Sequence, residues 1–318
     1  MGKYLRKFSG TLVALVIFAI LLGGVLYYDS QKKASEAPPP ERVFPGVKPD
    51  DIQAIKIVYP EEKLSLEKAD GEWYVVHDGK RRGADADMVQ DIVKDLTEME
   101  ADRVVLTDET DLDEFGFIKS KREFTVVTNK FDYPVIIGDK SPVGSGIYIY
   151  DLGEGRVILV KDHYLWGILN GSPDGFRDRA VTGFDSSAVD RIVVRAGAFS
   201  VELRKEGGIW VQSGAESPKP VDQKKVAELL NSFTKLKASE FVADEPGDLS
   251  EYGLEQPVAE AGFFGEGVSE TVFFGKRMDE DNFYVMTSEG EAVYAVPKEH
   301  FGILPKNFDQ IAVLKPPK

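Results

Sequence analysis

The stretch KLSLEKADGEWYVVH at residues 63–77 returns as SVELRKEGGIWVQSG at residues 200–214, 137 positions later. Leu66 falls on Leu203, Gly71 on Gly208 and Trp73 on Trp210. The register runs outward in both directions without a gap. Ile55 meets Ile192, Asp85 meets Asp222, Val89 meets Val226, Ala101 meets Ala238 and Val105 meets Val242. Further on, Asp111-Leu112, Glu114 and Gly116 meet Asp248-Leu249, Glu251 and Gly253. From Asp51 to Phe117 the shift gives 14 identities in 67 positions, and Gly138 then matches Gly275. Lys161-Asp162-His163-Tyr164 matches Lys298-Glu299-His300-Phe301, and Pro173-x-x-Phe176 resembles Pro305-x-x-Phe308. One register held over that length marks two copies of one structural unit.

Both copies read alike. Ile52-x-x-Ile55-x-Ile57, Lys63 to Glu67 and Glu72 to Val76 carry strand patterns. Asp70-Gly71, and Gly207-Gly208 in the second copy, are hairpin-turn residues. Asp85 or Asp222 then heads a helix whose carboxylate can accept free amide hydrogens of the first turn. Val89, Ile92, Val93 and Leu96 form one apolar stripe, repeated by Val226, Leu229, Leu230 and Phe233. A short turn ending at Gly116 or Gly253 places glycine at positive φ. Strands follow at Glu123 to Val127, Pro134 to Ile137, Ile147 to Tyr150 and Arg156 to Val160. Strands grouped on both sides of one helix predict an α+β fold, a tandem duplication of a mainly antiparallel sheet-plus-helix domain. The first repeat domain is expected at residues 48–175 and the second at residues 182–318, with the boundary near Gly171 to Ser187.

The chain has 318 residues, 42% of them apolar and 29% charged, as in folded domains. Its net charge is −15. Setting aside residues 1–35, where Lys3, Arg6, Lys7, Lys32 and Lys33 stand against Asp29, the remainder reaches −19. Such a surface repels phosphate backbones and argues against nucleic-acid binding. The absence of cysteine excludes disulfides, thiolate metal sites, cysteine nucleophiles and lipoprotein acylation.

Phe8 to Tyr28 is an uncharged run of 21 residues, long enough as a helix to cross about 30 Å of hydrocarbon. Basic residues precede it, so residues 1–7 are expected to be a cytoplasmic tail and residues 8–28 a transmembrane signal-anchor helix. A cleaved secretory signal is the competing reading. The run exceeds the about 7–15 residues of a signal core, and Ala34-Ser35-Glu36-Ala37 lies beyond Lys32-Lys33. Residues 29–47, with Pro38-Pro39-Pro40, read as a Pro-rich linker. The expected place is therefore the inner (cytoplasmic) membrane, single-pass, with the body extracytoplasmic and the bilayer engaged through residues 8–28.

Residue types that could carry chemistry each have a plainer structural role. His163 and His300 sit in no metal-binding spacing, and hydrogen-bonded positions at the end of the last strand are expected. The acidic groups at Asp108-Glu109, Asp111, Asp113-Glu114 and Asp279-Glu280-Asp281-Asn282 do not fit a calcium loop, since Arg122 occupies the twelfth position counted from Asp111. Gly144-Ser145-Gly146 and Gly262-Phe263-Phe264-Gly265 do not open a helix after a strand and read as hairpin turns. Ser172, in Gly171-Ser172-Pro173, lacks the context of a nucleophile elbow. Matched Trp73 and Trp210 point to core packing. Trp166, in an insertion found only in copy one, is the candidate for a partner contact. No catalytic, cofactor-binding or metal residue is expected.

Glu-Trp-Tyr-Val closing the early strands, Glu251-Tyr252-Gly253-Leu254-Glu255-Gln256-Pro257, the Val-Phe-Phe-Gly strand end at Gly275, and Phe283-Tyr284-Val285 before Ala292 to Val296 form a pattern. It resembles the bacterial domain-of-unknown-function family numbered 4340, in two copies over residues 48–318. Copy one departs from it, because Phe115-Gly116-Phe117-Ile118-Lys119-Ser120 lacks the proline. The resemblance implies a membrane-anchored auxiliary of an ABC-type transporter, like those of gliding-motility systems, with permease subunits as partners. It implies no catalytic residues. The expectation is a non-enzymatic scaffolding protein of an ABC-type transporter or envelope complex. A small-molecule or glycan receptor binding between the domains is the first alternative, and an envelope hydrolase the second.

Overall fold

The computed structural model describes residues 15–16, 18–28, 41–105, 109–214, 219–290 and 292–313. The tail at 1–7 and parts of the expected anchor (8–14 and 17) and linker (29–40) lie outside the described residues, as does Asp108. Residues 15–16 and 18–28 are helical and exposed (α1). Among the described residues, no helix is long and apolar enough to cross a membrane.

Two nine-stranded sheets make up the body. The first has the order β4-β3-β2-β1-β6-β7-β8-β9-β5, and the second β13-β12-β11-β10-β15-β16-β17-β18-β14, the same order nine strands later. Their strands are β1 (Ile52–Val58), β2 (Lys63–Ala69), β3 (Glu72–His77), β4 (Lys80–Gly83), β5 (Ala101–Val105), β6 (Glu123–Thr128), β7 (Asp132–Lys140), β8 (Gly146–Asp151) and β9 (Arg156–Lys161). The second set is β10 (Val189–Ala196), β11 (Phe199–Glu206), β12 (Ile209–Ser213), β13 (Lys219–Pro220), β14 (Glu240–Ala243), β15 (Ala259–Gly265), β16 (Val268–Arg277), β17 (Asn282–Thr287) and β18 (Val293–Pro297). Antiparallel registers repeat as well. Ile55 pairs with Leu66 and Val126, and Ile192 with Leu203 and Phe263. The fold is thus α+β, mainly antiparallel, and built twice.

The chain divides into two compact units, Met1–Glu72 with Val76–Lys80 and Asp87–Gly171, and Trp73–Val75 with Arg81–Ala86 and Ser172–Lys318. Two short segments of the first repeat, around β3 and β4, therefore group with the second unit.

In each sheet one helix joins the opposite edges. Helix α2 (Ala86–Glu98) follows edge strand β4 and leads to edge strand β5, and α4 (Gln223–Thr234) links β13 to β14. A flat sheet of this width measures about 38 Å at about 4.8 Å per strand, and thirteen helical residues span only about 20 Å. The flanking residues add little reach, because Ala84 N–H is held by Trp73 O and Met99 N–H by Leu96 O. The sheet must curl toward its helix. Val89, Ile92, Val93 and Leu96 of α2 are buried, as are Val226, Leu229, Leu230 and Phe233 of α4. Each such side chain is worth about 1.5–3 kcal/mol when taken from water. Asp222 caps α4, its Oδ1 accepting from Lys224 N–H at 2.9 Å.

Both hairpin turns take the left-handed geometry that matches strand twist, with φ of 53° and 86° at Asp70-Gly71 and 56° and 85° at Gly207-Gly208. A 3-10 turn, Leu249–Tyr252, ends at Gly253 with φ 68°, and its first-copy equivalent ends at Gly116 with φ 80°. The ring before each glycine rests on a tyrosine of the sheet: Phe115 on Tyr148 at 4.8 Å and Tyr252 on Tyr284 at 5.2 Å. The chain passes so close that a Cβ on Gly138 would lie 2.3 Å from Phe115 O, and one on Gly275 2.1 Å from Tyr252 O. That contact explains the matched glycines.

Two expectations change. Gly262 to Gly265 lies inside strand β15 and is not a turn; its two phenylalanines supply the strand pattern that the flanking glycines obscure. Val43 and Phe44, placed in the linker, are buried, and Val43 N–H bonds Met99 O at 3.0 Å. Two apolar residues between charges and a proline are too few to show a period.

Gly275→Ala is expected to destabilise the protein by about 3 kcal/mol through overpacking. Gly267→Ala, at φ +70° with nothing within 4 Å of the new Cβ, should cost only about 1–2 kcal/mol. Urea midpoints followed by circular dichroism separate the two.

Candidate functional site

The residues singled out in the sequence mostly serve the fold. His300 is half-buried, its Nδ1 2.8 Å from Ser232 Oγ, and burial holds its pKa below the usual histidine value. His163 is exposed, with its ring 4.1 Å from that of Tyr164. The hydrogen-bonded role expected for both is seen at His300. Trp210 is buried, and Gln223 holds its backbone, accepting from Trp210 N–H at 2.8 Å and donating to Trp210 O at 2.9 Å. Trp73 is only half-buried. Asp279 Oδ1 accepts from Asp281 N–H and Asn282 N–H at 2.7 Å each, which makes the acidic run a capped loop. Gly144, at φ +80°, stands in the turn between β7 and β8. Ser172 Oγ accepts from Gly175 N–H at 3.0 Å. Trp166 opens the short helix α3 (Trp166–Asn170) and is 69% exposed. Among the described residues, no group of three or more metal-type ligands is gathered.

The chemically distinctive position was not singled out. Strand β16 buries Val268, Glu270, Val272 and Phe274 on one face, so a carboxylate takes a core position. Glu270 pairs with Phe263 of β15. Thr287 of β17 pairs with Val272 and is buried on the same face. Two residues further along that register stands Glu289, across from Glu270, and the Ser288 N–H to Thr271 O bond of 2.8 Å carries the pairing past the strand end. Tyr294 of β18, paired with Val285, completes the floor.

Helix α4 covers the neighbouring part of this face, Phe233 lying 5.3 Å from Phe263 and 6.0 Å from Phe274. Residues 180–185 flank the remaining strip and form with it an open cavity of about 640 Å³. Glu270 and Thr287 line it, 7% and 6% exposed. Among the described residues, neither side chain has a hydrogen-bond or ion-pair partner. Thr182, also in the wall, is satisfied: its hydroxyl donates to Phe233 O and accepts from Leu236 N–H at 3.1 Å. Phe184, stacked 5.0 Å from Phe263, supplies an aromatic wall. Exposed Asp185, Glu266 and Glu289 ring the cavity, and among the described residues its lining contains no lysine, arginine or histidine.

Burial, and then the Glu289 charge, push the Glu270 carboxyl up to about 7. Near neutrality it can hold a proton and donate a hydrogen bond, or release the proton and receive a cation.

A family model described as a domain of unknown function, DUF4340, matches residues 73–257 and residues 210–313. The chain belongs to the DUF4340 family. The two DUF4340 matches begin at Trp73 and Trp210, 137 positions apart, and so repeat the internal shift. No curated protein and no solved structure is significantly similar to the chain.

Within this DUF4340 protein the two repeats differ where the cavity forms. The pairing of Tyr133 with Val126 makes Tyr133 the first-repeat equivalent of Glu270. Phe44 follows Val43, whose N–H bonds Met99 O; Thr182 follows Val181, whose N–H bonds the equivalent Leu236 O. In the first repeat Phe44 packs 5.7 Å from Tyr133 and 6.3 Å from Phe124. In the second, threonine and glutamate replace that aromatic pair and leave space.

A carboxyl whose folded pKa lies above its unfolded value adds stability only while protonated. The benefit is full below about 4.5 and lost as pH rises through about 7. Glu270→Gln is expected to match the parent near pH 4.5 and exceed it at pH 8 by up to about 3 kcal/mol. Urea titrations of both proteins at the two pH values check this, and equal stability at pH 8 contradicts it.

Proposed function

We propose that the protein is a non-enzymatic, extracytoplasmic scaffold, held at the inner membrane by residues 8–28, that serves an ABC-type transporter or envelope complex. The observation that carries this reading is how the matched positions of the repeats are used. Asp222 caps a helix, Gly253 ends a turn, Gly275 admits close packing and Trp210 fills a core. Duplication has multiplied a shape. The 21-residue uncharged run preceded by Lys3, Arg6 and Lys7 supports the tether, with the N-terminus in the cytoplasm. Resemblance to anchored members of the family, together with the acidic body, supports a protein partner over nucleic acid.

A tether confines both repeats to the membrane surface and raises their effective concentration for a partner embedded there. Exposed Trp166, present in one repeat only, is the side chain proposed to meet that partner, since a large aromatic desolvated at an interface contributes disproportionately.

Purification of the full chain in mild detergent is expected to bring down transporter permease subunits, and Trp166→Ala to weaken the capture about tenfold. Replacing residues 1–28 with a cleavable export signal should move the protein from the membrane to the soluble extracytoplasmic fraction. Recovery of the intact chain alone in several detergents argues against the scaffold, and its release from membranes by high salt argues against the tether.

A further inference from the structure

The cavity in the second repeat stands apart from any use of the matched positions, because the first repeat fills the equivalent place with Phe44 and Tyr133. Its volume of about 640 Å³ falls in the range of small-ligand sites, about 300–1,000 Å³. Two largely buried polar side chains, Glu270 and Thr287, line it, and among the described residues neither has a hydrogen-bond or ion-pair partner. Their oxygens are not shut off from solvent, so both can exchange water for a direct contact with a ligand that enters. The charged residues that line it are acidic, and Arg177 acts on Tyr294 from beyond the wall, beside Asp244. Glu266 lines it from the β15–β16 turn, Glu289 from the end of β17 and Asp185 from the roof, with Tyr294 from β18. Asp185 is already engaged by Ser187, whose N–H and hydroxyl both donate to it at 2.8 Å.

We propose that this cavity binds an organic cation, a protonated amine or guanidinium group, with Glu270 as the carboxylate that receives it and Phe184 and Tyr294 as aromatic walls. Carboxylate and ring faces both attract a cation. An inorganic divalent ion fits less well, since the described residues gather no set of three metal-type ligands. A free small molecule and a basic side chain of a partner share this chemistry. The inference depends neither on the membrane tether nor on a transporter partner.

The ionised form of Glu270 is the one that receives the cation, and its carboxyl loses its proton near pH 7. About a tenth is ionised at pH 6 and about nine tenths at pH 8, so the apparent affinity should rise about tenfold between them. Binding should also release protons.

Isothermal titration of the full chain with agmatine, and separately with the peptide Gly-Arg-Gly-Gly, tests the proposal at pH 6 and pH 8. Expected is binding of at least one probe, about tenfold tighter at pH 8, with proton release that depends on buffer ionisation heat. Agmatine alone identifies a free ligand, and the peptide a partner's side chain. Glu270→Gln should weaken binding at pH 8 at least tenfold and abolish the pH dependence. Its melting temperature controls for folding, and Glu270→Tyr, which restores the first repeat's residue, should remove binding by filling the space. No binding of either probe overturns the proposal. So does equal affinity at both pH values, unchanged binding in Glu270→Gln, or calcium binding in place of both probes.

Discussion

A single helix that must reach from one edge of a nine-stranded sheet to the other sets the form of each repeat. It is about half as long as the flat sheet is wide, so the sheet bends around it and apolar stripe meets apolar face. The capped turns, the close approach at Gly138 and Gly275 and the repeated strand order all belong to that closure. A helix of twelve or thirteen residues cannot cover the whole concave face, however, and a second element must cover the strip it leaves. In the first repeat that element is the segment carrying Val43 and Phe44, and in the second the segment at residues 180–185.

The repeats diverge on that strip. Phe44 and Tyr133 close it with two aromatic rings. Thr182 instead turns its hydroxyl to the end of α4, bonding Phe233 O and Leu236 N–H, and Glu270 takes the tyrosine's place. The exchange trades packed apolar volume for an unpaired carboxylate. Such an arrangement is costly to a core and useful to a site.

Much of this architecture was legible in the residues. The shift of 137 predicted two like units, the alternation at Glu123 to Val127 and Arg156 to Val160 marked strands, and Gly253 announced a left-handed turn end. Less visible were features that depend on distant partners. Val43 and Phe44 make too short an apolar run to signal burial, and the glycines of Gly262 to Gly265 masked a central strand. Glu270 did leave a trace: it shares the parity of Val268, Val272 and Phe274, and the repeat register sets it on Tyr133. A charged residue in step with a buried row is the signal. Only the position of the roof segment showed that space, and not a counter-ion, lay beside it.

The identical strand order of the two sheets bears on how the chain is made. An emerging second repeat can offer its strands to the first, and exchange of like elements is a common misassembly of tandem folds. Only 14 of 67 matched positions keep the same residue, so a strand placed in the other repeat would meet a core shaped for different side chains. Leu96 against Phe233 and Tyr133 against Glu270 are such mismatches. A strand exchanged into the other repeat would lose its fitted contacts, which favours pairing within its own sheet.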